Sequence, residues 1–395
     1  MSQRSTNGAA GLLVGAILGG ALVTTTASAA TVQPLASFGA NPGALKAYDY
    51  IPDGLATGRP LVVVLHGCTQ TAADMQRAGW DALAEQDRFA VLYPEQQTAN
   101  NPVRCFNWAG ENGDLANLTR GQGENASIMA MIDTEIAAHG IDATQVYIVG
   151  FSAGAAFTAV MLATWPDRFA GGAIMSGIAY RCATDLNGAY ACQSPGVSKT
   201  PAAWGDLVRA ADAGFAGPWP RVQIWQGATD TTVVPANAVE LVKQWTDVHG
   251  TDADADATET IGAATRTAYT ANGTVVVESY AISGMDHAIV TGADPLGACT
   301  ATTGTYFMDK GVCSTLRAAR FFGLTDGGGG GDGGGGGGGG DVTTRGEGGG
   351  CAAAGGGSGG LLVLIGFVVI AIRRRRRQLT GSVTRSAFPA RSWAP

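Results

Sequence analysis

Short apolar runs alternate with segments of helical periodicity along most of this chain. Residues 61–65 form a continuous β-branched run, and similar runs predict strands at 89–93, 145–149, 172–175, 221–225 and 274–282. Between them, apolar side chains recur with helical spacing at 72–86, 125–138, 153–163 and 235–248. Runs that are apolar on both faces are typical of parallel strands covered by helices on each side. The pattern therefore predicts an α/β fold with a doubly wound, mainly parallel sheet.

Two long stretches, 96–124 and 179–220, are rich in Gly, Asn and Pro and show no clear periodicity. We expect them to be irregular and to cover the carboxyl edge of the sheet, where doubly wound folds place their sites.

The first 30 residues have the features of a secretory signal peptide. Arg4 precedes a short apolar run at 9–23, and Ala27, Ser28 and Ala29 form an A-x-A cleavage pattern. We expect cleavage near Ala29 or Ala30, and an uncleaved anchor is the alternative. The mature protein is then expected to be secreted or held at the cell surface.

The carboxyl end carries a second set of localisation signals. A Gly-rich linker at 327–350 is followed by Cys351, an uncharged segment at 352–372 and five consecutive arginines that end at Arg377. As a helix the uncharged segment would be about 31 Å long, enough to cross a bilayer. The order of these features resembles the myxobacterial MYXO-CTERM sorting signal, which implies export and processing near the Cys. A plain single-pass membrane anchor is the alternative.

These signals predict five regions along the chain. They are a signal peptide at 1–30, an α/β domain at 31–326, the linker at 327–350, a sorting segment at 351–377 and a tail at 378–395. The net charge is −7, and the arginine run lies outside the domain, which is therefore more acidic than the whole chain. This charge argues against binding to nucleic acid, which depends on neutralisation of phosphates.

Six of the seven cysteines lie in the predicted domain, and an even number in an exported domain indicates disulfides. Six cysteines allow 15 pairings. Short separations favour Cys182–Cys192 and Cys299–Cys313, which leaves Cys68 with Cys105. No C-x-x-C spacing occurs, so a structural zinc site built on cysteines is not expected.

The candidate nucleophile is Ser152, in the G-x-S-x-G sequence from Gly150 to Gly154. An apolar strand leads into this motif and a helix follows it, as a nucleophile elbow requires. A capping serine in an ordinary strand-to-helix turn is the alternative. Serine needs a base, and the chain has four histidines. His287 is favoured over His249 because it lies in a loop just past the last long strand, whereas His249 ends a predicted helix, and it fits the Ser–acid–His order of α/β-hydrolases.

Asp230 is the candidate acid, since it follows the strand at 221–225 and lies between Ser152 and His287. It would hold the imidazole in the required tautomer. An Asx turn or helix cap is the alternative role. The oxyanion hole is predicted from two backbone amides, those of Ala153 and Cys68.

Five segments together resemble the polyhydroxybutyrate depolymerase-type esterase family. They are LHGCTQTAADM (65–75), CFNW (105–108), GFSAGAAFT (150–158), QGATDTTV (226–233) and GMDHA (284–288). The resemblance implies an α/β-hydrolase fold, a Ser152–Asp230–His287 triad, a Cys68–Cys105 disulfide, and no metal or cofactor. It also implies that Trp108, with its neighbour Asn107, lines the substrate cleft.

The leading hypothesis is therefore a surface-associated serine esterase that resembles poly(3-hydroxybutyrate) depolymerases. Its expected partners are an ester substrate and, through the carboxyl-terminal segment, a membrane. A feruloyl or acetyl-xylan esterase is the alternative with the same chemistry, because that group is similar to the same family. A catalytically silent binding protein and a peptidase on the same scaffold are alternatives from other classes.

Overall fold

Six parallel strands form the centre of a ten-stranded sheet in the computed structural model. The model describes Met1 and residues 30–110, 115–297 and 303–325, all within the first of two units, residues 1–335. The strands of the sheet are β1 Gln33–Pro34, β2 Lys46–Tyr50, β3 Leu61–Leu65, β4 Ala90–Glu95, β5 Val146–Phe151, β6 Gly171–Met175, β7 Arg221–Gly227, β8 Ala257–Ile261, β9 Ala264–Ala271 and β10 Thr274–Ile282. Their order is β1-β2-β4-β3-β5-β6-β7-β10-β9-β8. The predicted α/β fold with a mainly parallel sheet is confirmed.

Both edges of the sheet are antiparallel. The pairs β1–β2 and β2–β4 run antiparallel at one edge, and β10–β9 and β9–β8 do so at the other. Of the six strands in these pairs, β4 and β10 were predicted; β1, β2, β8 and β9 were not, because they are short or polar and lack a continuous apolar run. Two further strands, β11 Ile289–Thr291 and β12 Phe307–Asp309, form a separate parallel pair.

Helices cover both faces of the sheet. They are α1 Ala72–Gln76, α2 Trp80–Asp87, α3 Gly123–His139, α4 Ala153–Thr164, α5 Leu186–Gln193, α6 Pro201–Ala211, α7 Ala236–His249 and α8 Ser314–Phe322, with a 3₁₀ turn at Ala116–Leu118. Alternate residues of β3 belong to different cores: Leu61 and Leu65 pack on the side of α3, α4, α6 and α7, whereas Val62 and Val64 pack on the side of α1, α2 and α8. This two-sided burial explains the continuous apolar runs of the sequence.

The helix predicted at 72–86 is in fact two helices. Thr71 caps α1 through a capping box with Asp74, and the chain then breaks at Gly79, whose φ is +89°. A left-handed φ is open to glycine at little steric cost, so the chain can leave α1 and start α2 at Trp80. The helical periodicity continues through this break, which is why the pattern alone did not show it.

The prediction that 179–220 is irregular is also wrong, because α5 and α6 lie there. Each begins at a side-chain cap: the Asp185 carboxylate accepts from the Gly188 N–H, and the Thr200 hydroxyl accepts from the Ala203 N–H. Pro201 occupies the first turn of α6, a position that proline favours. These start signals were present in the sequence and outweigh its low periodicity.

No helix among the described residues combines the length and the apolarity that crossing a bilayer demands. Apart from Met1 and Ala30, the predicted signal peptide, linker, sorting segment and tail lie outside the described residues.

Candidate active site

Ser152 lies in the turn between β5 and α4, with a backbone conformation that is rare outside glycine. Its φ is +56° and its ψ is −121°. A Cβ on Gly150 would lie 2.3 Å from the Gly154 carbonyl oxygen, and one on Gly154 would lie 2.5 Å from the His66 carbonyl oxygen. Both glycines of the motif are therefore required by close packing of β5 and α4 with β3. The strain at Ser152, on the order of 1–3 kcal/mol, is offset by that packing.

His287 follows β10 and contacts both of its predicted partners. Its Nε2 lies 2.9 Å from Ser152 Oγ, and its Nδ1 lies 2.8 Å from Asp230 Oδ2. The imidazole is only 9% exposed. The three residues follow β5, β7 and β10, which run parallel, so the fold brings them to one edge of the sheet.

Asp230 is fully buried and its carboxylate is saturated with donors. Oδ1 accepts the N–H groups of Thr232 and Val233 at 2.8 and 2.9 Å, and Oδ2 accepts from Gln226 Nε2 at 3.1 Å. Burial alone would raise the pKa of Asp230, but the hydrogen bond and charge of His287, with these amides, hold the pKa below its usual value. An ionised Asp230 keeps the proton on Nδ1 of the imidazole and leaves Nε2 free to accept one.

The other three histidines have different surroundings. His66 is buried, accepts the Gln96 N–H at Nε2 and directs Nδ1 to the Gly67 carbonyl 2.7 Å away. Burial lowers the pKa of His66, and likewise that of His249, to about 4. His249 Nε2 lies 3.0 Å from the Pro220 carbonyl, and His139 ends α3. Of the four histidines, only His287 contacts Ser152 in the described part of the chain.

The loop after β3 lies directly against the serine. A Cβ on Gly67 would be 3.1 Å from the Ser152 Cβ. Cys68 comes next, and its N–H has no acceptor among the described residues. Ala153 is the first residue of α4, so its N–H has no acceptor within the helix. Both amides predicted for the oxyanion hole are thus available for a ligand.

Two of the three predicted disulfides are present. Cys68 is bonded to Cys105 across 37 residues, and Cys182 to Cys192 across 10. The Cys68–Cys105 bond attaches the loop beside Ser152 to the segment that contains Trp108. The predicted pairing of Cys313 involves Cys299, which lies outside the described residues, so it stays a prediction.

Trp108 and Asn107 are more buried than residues of an open cleft usually are. Trp108 is 6% exposed and Asn107 is 8% exposed. The Asn107 amide oxygen accepts from Asn101, and both its backbone and its side-chain N–H groups donate to Glu124. The contribution of both residues to substrate binding stays a prediction, and the structure gives Asn107 a clear internal role.

Several residues of the site escaped sequence reasoning. Gln226 Nε2 donates a hydrogen bond to the carboxylate of Asp230. The rings of Phe151 and Tyr306 lie beside the imidazole of His287, at centroid distances of 4.9 and 6.2 Å. Buried Glu124 also accepts from Gln96, which in turn donates its N–H to His66. Phe151 and Gln226 lie within the quoted motifs and could have been noticed. Tyr306 and Glu124 carry no such signal, because only the folded chain brings them near.

The chain is similar to several known esterases. Residues 45–270 match the family described as Esterase PHB depolymerase. The chain is 47% identical over 308 residues to poly(3-hydroxyalkanoate) depolymerase C of Paucimonas lemoignei, covering 77% of this chain and 72% of that protein. It is 37% identical over 244 residues to feruloyl esterase B of Neurospora crassa, covering 60% and 81% respectively.

A solved structure supports the same fold. An acetyl xylan esterase from Aspergillus awamori superposes with a TM-score of 0.62 at 27% identity. The alignment covers 75% of this chain and the whole of that one. The α/β-hydrolase fold expected from the sequence is confirmed.

Proposed function

We propose a function from one premise: this chain belongs to the Esterase PHB depolymerase family and is a carboxylic ester hydrolase. The proposed activity is hydrolysis of the ester bonds of poly(3-hydroxyalkanoates) or their oligomers through an acyl-enzyme on Ser152. The observation that carries the proposal is the continuous hydrogen-bonded series from Ser152 through His287 to Asp230.

In this mechanism His287 Nε2 takes the proton of the Ser152 hydroxyl as Oγ attacks the ester carbonyl. The imidazolium that forms is stabilised by the ionised Asp230 and then protonates the departing alcohol. Water attacks the acyl-enzyme in the second half of the cycle, with His287 again as the base. No cofactor or metal is needed for these steps.

Negative charge on the tetrahedral intermediate would be stabilised by the N–H groups of Cys68 and Ala153. Two features support this role: neither amide has a protein acceptor among the described residues, and both lie beside the serine. The Cys68–Cys105 disulfide restrains the first of them. Preorganised donors of this kind are often the largest single contribution to acyl-transfer catalysis.

The choice of polyester rests on the relative from Paucimonas lemoignei, which shares 47% of aligned residues with this chain. A second candidate is esterase action on plant polysaccharide, as a feruloyl or acetyl-xylan esterase. It is favoured by the relative from Neurospora crassa and by the superposition on the acetyl xylan esterase. The polyester is favoured because the identity is higher, 47% against 37%, and because the match covers more of this chain, 77% against 60%.

We also propose that the protein acts outside the cytoplasm. Two disulfides support export, because such bonds persist mainly in oxidising compartments. The signal peptide at 1–30 and the sorting segment at 351–377 would direct secretion and attachment to the cell surface. Fractionation of the native host, with antibodies against the catalytic domain, would test this; a purely cytoplasmic signal would contradict it.

The substrate is tested by a panel of esters. Purified protein is incubated with 3-hydroxybutyrate oligomers, polymer film, methyl ferulate and acetylated xylan, with Ser152→Ala as the inactive control. We expect the highest kcat/KM on the hydroxybutyrate esters. Higher kcat/KM on methyl ferulate or acetylated xylan would support the second candidate, and activity that persists in Ser152→Ala would contradict the mechanism.

A further inference from the structure

Away from the active site, three potential metal ligands meet between β2 and α3. Glu135 and His139 lie one turn apart on α3, and Asp49 lies on the neighbouring strand. One carboxylate oxygen from each acid and one imidazole nitrogen all lie within 4.8 Å of one another. The E-x-x-x-H spacing places both helix residues on one face.

Glu135 is the unusual member of this group. It is 0% exposed, and neither of its carboxylate oxygens has a hydrogen-bond donor among the described residues. A buried carboxylate without donors is strongly unfavourable, and almost all buried polar groups are paired. His139 Nε2 is 3.6 Å from Glu135 Oε2, an ion-pair distance when the imidazole is protonated but too far for a hydrogen bond. Among the described residues the carboxylate thus has no hydrogen-bond donor, and a bound cation would supply the missing partner.

The 3.6 Å between Glu135 Oε2 and His139 Nε2 is too long for a direct hydrogen bond and close to the separation of two ligands of one metal ion. Two ligand atoms that each lie ~2.0–2.1 Å from a tetrahedral zinc ion are about 3.4 Å apart. Asp49 and His139 are only partly buried, so an ion could enter from solvent and water could complete its coordination. A set of two carboxylates and one imidazole favours transition metals over Mg²⁺ or Ca²⁺, which prefer oxygen alone.

We propose that Asp49, Glu135 and His139 form a binding site for a divalent transition-metal ion, for which Zn²⁺ is the probe. Asp49 pairs in register with Leu92, and His139 ends α3. The site thus lies toward the amino ends of the parallel strands, whereas Ser152 follows a carboxyl end. The ion would attach strand β2 to the end of α3 and would take no part in ester hydrolysis.

The first test measures zinc binding to the chelator-treated full chain by competition with a chromophoric indicator. We expect one site in the wild type. Glu135→Gln and His139→Gln should each weaken binding by at least about 10-fold, since even loss of an outer-shell partner costs ~10–100-fold. Asp133→Asn is the matched control, because this exposed acid of the same helix pairs with Arg168 and lies outside the cluster.

Glu135→Gln is expected to fold. Glutamine has nearly the same size and shape as glutamate and carries no charge, so it can fill the buried position of Glu135 without the cost of an unpaired charge. Circular dichroism should show the same spectrum for both proteins. Metal binding to the folded state alone stabilises it, so zinc should raise the Tm of the wild type and of Asp133→Asn but not that of Glu135→Gln.

A separate arm excludes the active-site imidazole as the zinc ligand. His287→Ala should bind zinc as tightly as the wild type, and turnover of a soluble ester should be equal in wild type and Glu135→Gln. Absence of binding in the wild type would overturn the proposal. So would equal affinity in Glu135→Gln and wild type, or loss of binding in His287→Ala.

Discussion

At the scale of single residues, burial and neighbours decide what each histidine can do. His66 is enclosed, and its two ring nitrogens are both engaged by backbone groups, so it serves as a neutral structural link. His287 has one nitrogen fixed by a buried carboxylate and the other directed at a serine hydroxyl. The same side chain is thus inert in one place and suited to proton transfer in the other.

This difference gives a residue-level prediction for catalysis. Ser152→Ala and His287→Ala should lower kcat on a soluble ester by about 10⁴-fold or more, and Asp230→Asn by about 10⁴-fold, because the tautomer of the base is lost. His249→Ala should retain kcat near that of the wild type. Circular dichroism and steady-state kinetics of the four variants provide the check. Loss of activity in His249→Ala but not in His287→Ala would show that the base is misassigned.

A second prediction concerns stability at acid pH. The pKa of His249 is lowered from 6.5 to about 4 by burial, so between these values the unfolded chain binds more protons than the folded one. The free energy of unfolding should therefore fall as the pH drops from about 6.5 to 4. His249→Gln, which keeps a donor for the Pro220 carbonyl, should show a shallower fall. Urea unfolding at a series of pH values measures this, and an unchanged pH slope in the variant would contradict it.

At the scale of elements, the disulfides restrain segments that have little regular structure. Cys68–Cys105 joins the loop after β3 to the segment before α3, and Cys182–Cys192 attaches α5 to the loop that precedes it. Only the first lies next to the serine. The two bonds should therefore differ in their effect on catalysis even though both stabilise the fold.

We predict that Cys105→Ser lowers kcat by up to about 10²–10³-fold, with a smaller change in KM, because the Cys68 amide is no longer held in place. Its stability should fall by about 4 kcal/mol, on the chain-entropy estimate for a loop of this length. Cys182→Ser is the control, with a loss of about 3 kcal/mol and nearly unchanged kcat. Kinetics and urea unfolding of both variants give the comparison. Unchanged turnover in Cys105→Ser would contradict the proposed role of the loop.

At the scale of the whole molecule, the last described helix completes the core. The side chains of Phe321 and Phe322 are buried on one face of the sheet, and Arg317 pairs with buried Asp294 through a bidentate ion pair. The Gly-rich linker predicted at 327–350 has few side chains to bury. The stability of the domain should therefore depend on α8 and not on the linker.

We predict that a chain covering 31–326 is folded and active on a soluble ester, with a melting temperature close to that of the full protein. A chain that ends at Asp309, and so lacks α8, should not fold, because it exposes the apolar surface that α8 covers. Circular dichroism, thermal unfolding and esterase assays of both truncations are the measurements. An unfolded 31–326 chain would mean that the predicted boundary is wrong.

Local chemistry determined much of this protein from the sequence alone. Apolar runs long enough to be buried on both faces indicated the parallel strands, and the G-x-S-x-G motif indicated a tight turn because its glycines have no Cβ to clash. The roles of Ser152, Asp230 and His287 were predicted from their order in the chain and from the strand that precedes each of them. Cysteine separations indicated the Cys182–Cys192 bond, and elimination with family resemblance indicated Cys68–Cys105.

Only the tertiary structure decided the contacts between distant segments. The antiparallel strands β2, β8 and β9 gain their stability from pairing, so their polar sequences carried no strand signal. Tyr306 lies beside His287, and Glu124 beside Asn107 and Gln96, because the chain returns there. Asp49 meets Glu135 and His139 for the same reason. Periodicity shows how one segment is buried. A site depends on which distant segments lie next to each other, and only the packing of the whole chain decides this.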